Sequence, residues 1–244
     1  MAKTSGGVRV QAGTINLTGG GGKDIVRGGG APMNVTPLDS IPDKRVLNQQ
    51  RAVISKMFKK YGFEANTVAM ADLDGAHGVA YIGTKQVYLN KNGFKDAKKL
   101  IASKKREYES GFKTITKNPL QHTLVHELAH IKWTTEMGGI SKESESKVQS
   151  LFKQAKQEAK MLNKKYGQGA KKKWSLGSYA LTNVNEFWAE ASTQYHIGRR
   201  QSKYSKEIGK IWEKEFKKKA GKATPTAGGR GRRQASLFDK RRKK

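Results

Sequence analysis

The segment TLVHELAHIKW, residues 123–133, sets two histidines and a glutamate inside an otherwise apolar run, and any fold of this chain has to accommodate them. Asn118 and Pro119 just upstream suit the N-cap and first position of a helix. Four residues advance a helix by about 400°, so His126 and His130 share one face, roughly 6 Å apart in rise. Both imidazoles then reach one metal ion. Glu127 lies about 100° round, where its carboxylate reaches a metal-bound water without occupying a coordination position. The alternative is three polar residues on an ordinary helix, and a third ligand decides between the two.

The chain has no cysteine, which excludes disulfides and thiolate ligands, so a metal must sit on His, Asp or Glu. Three candidates compete for the third position. Trp133 and Glu136 stand where a helix-breaking Gly and a third His would stand in the extended H-E-x-x-H-x-x-G-x-x-H pattern; on a continuing helix Glu136 points about 240° away from His130. His122 is on the correct face but about 12 Å of rise from His130, too far for the three to share one ion, and reads as a polar residue of the first turn. In SYALTNVNEFWAEAS, residues 178–192, Glu186 and Glu190 stand four apart among Phe187, Trp188 and Ala189. Carboxylates are rarely set unpaired against aromatic neighbours. A metal explains both: one carboxylate coordinates while the other accepts the free ring N–H of a ligand histidine.

HELAH followed by Tyr-x₆-Glu-x₃-Glu, with NEFWAEA around the two acids, resembles the lethal-factor-like branch of the gluzincins, which includes Pro-Pro endopeptidases. The resemblance covers roughly residues 120–195. It implies a zincin fold, with Zn2+ on His126, His130 and Glu186, Glu127 as general base, Tyr179 stabilising the transition state, and Glu190 as a supporting acid. The intervening SKESESKVQSLFKQAKQEAKMLNKKYGQGAKKKW departs from that pattern as a long basic connection, so family substrates do not carry over.

Around this centre the sequence reads as α+β. Residues 1–41, with TGGGGKDIVRGGGAPMNVTP, read as a flexible Gly-rich arm. A folded domain over 42–220 opens on a helix carrying Val46, Val53, Ile54, Met57 and Phe58 at helical spacing and stopping at Gly62. Strand-like runs follow at 66–72, 78–83 and 86–90, the last two joined as a hairpin through Gly83, Thr84 and Lys85. Helices are predicted at about 95–108, 119–137, 141–165, 183–199 and 204–219. Residues 221–244, in which GGRGRRQASLFDKRRKK carries eight Lys or Arg against Asp239, read as a disordered basic tail.

The net charge is +29, from 49 Lys and Arg against 20 Asp and Glu, a surface suited to nucleic acid or another polyanion. No stretch approaches the ~18 apolar residues of a membrane span, and MAKTSGGVRV lacks the apolar core of a signal peptide. The expected setting is soluble, cytoplasmic or virion-associated. Two functions are expected from these features. One is a zinc-dependent endopeptidase acting on a peptide or protein, its substrate laid along a sheet edge for which GVAYIGTKQVYLN is the candidate. The other is a nucleic-acid-associated or phage-particle structural protein carrying a zincin-like domain; a toxin is suggested by the resemblance alone. His77 reads as a loop histidine, and His196 as a late helix residue without an identifiable partner.

Overall fold

The computed structural model describes residues 32–62, 65–133, 139–167, 170 and 174–217. Among them the chain is α+β, with seven α-helices and one four-stranded mixed sheet. The strands are β1 (Met33–Pro37), β2 (Thr67–Asp72), β3 (Gly78–Tyr81) and β4 (Gln86–Asn90), in the spatial order β1-β2-β4-β3. β2 and β4 run parallel, and the other two pairs are antiparallel. The expected hairpin is β3–β4, closed by Lys85 N–H donating to Ile82 O, with Lys85 itself at φ 52°. β3 is therefore an edge strand.

The boundary at 41/42 moves toward the N-terminus. β1 lies inside the stretch read as a flexible arm, pairing Thr36 with Met70 and Pro37 with Ala69, and Ile41 is buried. Glycine composition dominated that reading, whereas MNVTP is glycine-free and its proline sits on an edge strand, where a missing N–H is tolerated. Residues 1–31 and the basic tail lie outside the described residues.

Helix α1 (Lys44–Tyr61) starts at Asp43, whose side chain accepts from the Arg45 and Val46 amides, and ends at Gly62 in the left-handed region. Asp43 also accepts from Ala97 N–H at the start of α3 (Ala97–Glu109), so one carboxylate ties two helix ends. Val46, Val53, Met57 and Tyr61 form the buried stripe, while Phe58, expected on that face, is more than half exposed. A short α2 (Lys91–Phe94) precedes α3.

The HELAH helix, α4 (His122–Ile131), is buried at every position. Its entry is pinned by α1: Gln50 donates to Leu120 O at 2.7 Å, and Gln49 Oε1 accepts from Asn118 and Gln121. Asn118 caps the 3-10 turn Pro119–Gln121 ahead of it. The helix stops at Ile131, short of the expected 137. Trp188 Nε1 donates to Ala129 O at 2.8 Å, the carbonyl that Trp133 N–H takes in a continuing helix; Trp133 N–H donates to His130 O instead. Glu136 lies outside the described residues.

Three helices complete the fold: α5 (Lys142–Tyr166), α6 (Val184–Ile197) and α7 (Lys203–Trp212), the last continuing into a π turn at Glu213–Lys217. α6 lies along α4, locked by Phe187, Trp188, Ala189 and Ala191, all fully buried. Trp188 stacks on Trp212 at 5.6 Å and 8°, and Trp212 Nε1 donates to Ser192 Oγ. Trp188→Phe keeps most of the ring but leaves the Ala129 carbonyl without its side-chain donor. Urea unfolding of that variant is expected to show a loss of about 1–3 kcal/mol.

Candidate metal centre

Adjacent helices α4 and α6 each present polar groups at i and i+4 into the same buried space. From α4 come His126 and His130, from α6 Glu186 and Glu190, and the four are exposed by 4% or less. Asn183 sets the start of α6 by accepting from Glu186 N–H, which turns that side chain toward α4.

His126 Nε2 lies 3.0 Å from Glu186 Oε2 and 3.1 Å from His130 Nε2, and His130 Nε2 lies 3.4 Å from the same carboxylate oxygen. Ligands held about 2.0–2.2 Å from one ion at tetrahedral angles stand roughly 3.3–3.5 Å apart, so this triangle, two of whose sides are slightly shorter, is close to a metal's donor set. Two imidazole nitrogens 3.1 Å apart also require a cation or a single shared proton between them. The group can hold a metal ion.

A second buried group, His122, His126 and Glu190, also has its donor atoms close together. Its carboxylate is already committed. Glu190 Oε2 accepts from Thr114 N–H at 3.0 Å, and Oε1 lies 3.0 Å from Lys113 Nζ. An ammonium at that distance repels a divalent cation and weakens this second group as a metal site, although its donor atoms too can hold an ion. Glu190 Oε1 is also 3.1 Å from His126 Nδ1, the position of a carboxylate that orients a ligand histidine. His122 is in the first turn, as expected from sequence, but it is not exposed there. It is buried, its Nδ1 3.3 Å from Tyr108 OH and its Nε2 3.5 Å from Glu190. The helix buries that turn because α3 and Tyr108 cover it.

The protonation states follow from these contacts. Burial raises the Glu190 carboxyl, but Lys113, then His122 and His126, hold it well below the usual range. Burial also works against ionised Glu186, and His130 and His126 override it in the same way. Burial and Lys113 push His126 down, yet hydrogen bonds to Glu186 and Glu190 carry it up to about 9. Burial, opposed by Glu190 and aided by Lys104 and Lys113, takes His122 down to about 4, leaving a neutral imidazole.

Tyr179 sits in the 3-10 turn Ser178–Leu181, buried, its ring 5.8 Å from that of His126. Burial, Glu186 and Glu127 hold its phenol well above the ordinary value, so it is a donor at neutral pH. The turn is strapped to the loop after α3: Ser178 N–H donates to Gly111 O and Tyr179 N–H to Phe112 O. Gly177 allows that approach, having φ 78° and a position where a Cβ would stand 2.6 Å from Lys113 C.

Glu127 faces the start of β3. A Cβ on Gly78 would stand 2.7 Å from Thr123 Cγ2 and 2.9 Å from Glu127 Cγ, so the edge strand lies directly against this side of the HELAH helix. Gly78, Lys113, Thr114 and Gly177 had no periodic or motif signal in the sequence. His77 pairs with Glu107 at 3.1 Å, and His196 is partly buried among Tyr61, Tyr195 and Trp212. A cavity lined by Lys113, Trp174, Gln194, Arg199 and Arg200 contains none of the converging ligand residues.

Comparison with protein-family models, curated proteins and solved structures gives no match to this chain. Among the described residues no helix is long and apolar enough to cross a membrane.

Metal loading must displace the proton on His126. Below about pH 9 the apparent affinity is therefore expected to rise by about tenfold per pH unit and to level off above it, with roughly one proton released per ion. Chelator competition across pH 6–10 and calorimetry in buffers of different ionisation enthalpy measure the two effects. Glu186→Ala should lower the metal stoichiometry; Glu127→Ala should leave it unchanged.

Proposed function

We propose that the protein is a zinc-dependent endopeptidase of zincin type, with a catalytic centre similar to that of the lethal-factor-like gluzincins. The observation that carries this reading is the convergence of His126, His130 and Glu186 within 3.0–3.4 Å, with Glu127 on the neighbouring face of the same helix. Two imidazoles and one carboxylate, with no thiolate anywhere in the chain, suit catalytic zinc, whose three protein ligands leave a position for water. Bound there, zinc supplies a Lewis acid that lowers the pKa of water to about 7 and polarises a peptide carbonyl.

The protein's own groups do the rest. Glu127 takes the proton of the attacking water and passes it to the departing amine nitrogen. Tyr179, held protonated by its surroundings, donates its hydroxyl to the oxyanion that forms on the carbonyl oxygen. Glu190 fixes the orientation of His126 through Nδ1. Among the described residues β3 is the outermost strand on its side of the sheet, its edge offers backbone donors and acceptors for an extended peptide, and Gly78 sets that edge beside Glu127.

Metal-loaded protein is expected to cleave members of a peptide library. Glu127→Ala should abolish cleavage with zinc retained, and Tyr179→Phe should lower kcat by about 10²–10³. Full activity in Tyr179→Phe removes the tyrosine from the mechanism. Zinc retention without cleavage of any peptide by the parent chain leaves a basic metal-binding protein instead.

A second variant probes the fit of strand to helix. Gly78→Ala forces Thr123 and Glu127 aside, so kcat should fall while metal content holds. Unchanged kcat would show that Glu127 does not depend on the close approach of β3.

A further inference from the structure

We propose that Lys113 is a positioning residue for Tyr179, its ammonium seating the phenol ring from which the hydroxyl is presented to the reacting carbonyl. The proposal rests on the peptidase reading, because it assigns Lys113 a part in that reaction.

Lys113 is an unusual lysine for so basic a chain. Its side chain is only 12% exposed, whereas most of the other charged lysines lie on the surface. A buried ammonium loses its hydration and needs partners with negative potential. It has two. Nζ lies 3.0 Å from Glu190 Oε1 and 3.2 Å from the centroid of the Tyr179 ring. The second distance is well inside the range at which a cation is held by an aromatic face.

The backbone makes this arrangement rigid. Gly111 and Phe112 accept from the Ser178 and Tyr179 amides, so the residues just before Lys113 grip the tyrosine's main chain while Lys113 grips its ring. Phe112 packs on another part of the same ring at 5.2 Å. The next residue, Thr114, donates its N–H to Glu190 Oε2, so Lys113 and Thr114 take one carboxylate oxygen each. The four residues 111–114 thus connect the tyrosine to the acid behind His126.

Two effects on Tyr179 follow. The cation on the face restricts the ring to one placement, which matters because a hydroxyl misplaced by about 1 Å loses much of its value as a transition-state donor. It also withdraws electron density from the ring, making the phenol O–H a stronger donor. Neither effect involves contact between Lys113 and the substrate, so its loss should appear in kcat and leave KM unchanged.

The test is a double-mutant cycle on zinc-loaded protein, with Lys113→Met and Tyr179→Phe singly and together. Lys113→Met alone should lower kcat by about 10–100-fold, as removing a supporting partner of a metal site typically does. In the Tyr179→Phe background the same change should cost far less, since the hydroxyl it serves is gone. Lys113→Arg keeps the cation and should recover most of the loss. Lys113→Gln keeps a donor for Glu190 but offers the ring no charge, and should behave like Lys113→Met; it also replaces that variant in the cycle if Lys113→Met does not fold.

A readout independent of activity uses chain labelled with 13C at the tyrosine ζ carbon. The resonance missing from Tyr179→Phe should shift in Lys113→Gln and return toward its parent position in Lys113→Arg. Equal losses in both backgrounds, or a Tyr179 resonance that does not respond to Lys113→Gln, overturn the proposal while an active parent chain leaves the peptidase reading standing. An inactive parent chain overturns both.

Discussion

Ionised carboxylates buried between two helices are tolerated only when opposite charge and hydrogen bonds reach them, and that compensation organises this molecule. Glu186 and Glu190 are buried on a helix whose Phe187, Trp188 and Ala189 are buried as well. His126 and His130 answer the first, and Lys113, Thr114 and His126 the second. Removing one partner of such a set strands a charge in a low-dielectric interior, which costs more than the contact itself contributes. The tryptophan stack of residues 188 and 212 and the Trp188 bond to Ala129 keep α4 and α6 at the separation this requires.

The seam between the two helices is polar in a directional way. At its Glu186 end three donor atoms stand within 3.0–3.4 Å of one another, an arrangement that can hold a cation. At its Glu190 end an ammonium already occupies that role, so the same residue types produce a support. His126 joins the two ends through its two ring nitrogens, Nε2 toward Glu186 and Nδ1 toward Glu190. The loop 111–114 and the turn at 178–181 enclose this arrangement from one side, and the first residue of β3 closes on Glu127 from another.

Much of the helical half was legible in the chain itself. H-E-x-x-H and E-x-x-x-E each put two polar side chains on one helical face, and the aromatic neighbours of the glutamates signalled burial. Asn118, read from sequence as a helix cap, accepts from a backbone amide in the turn that leads into α4. The hairpin at 78–90 was readable from alternation and its turn residues. Less visible were β1, hidden behind a glycine-rich stretch, and the end of α4, where a tryptophan from another helix takes the carbonyl that continuation needs. Exposed Phe58 shows the same limit, since spacing marks a face without fixing its width.

By itself the sequence determined which residues share a helical face and that any metal must be held by nitrogen and oxygen, because helical periodicity and the lack of cysteine are local facts. It also set two acids four apart among apolar residues, which asked for a partner without identifying it. Only the tertiary structure decided that the two faces meet, that Glu190 is neutralised by Lys113, and that Gly78 and Gly177 leave room for close backbone approach. Those outcomes depend on pairings between residues up to 77 positions apart, as between Lys113 and Glu190, and no short-range pattern encodes them.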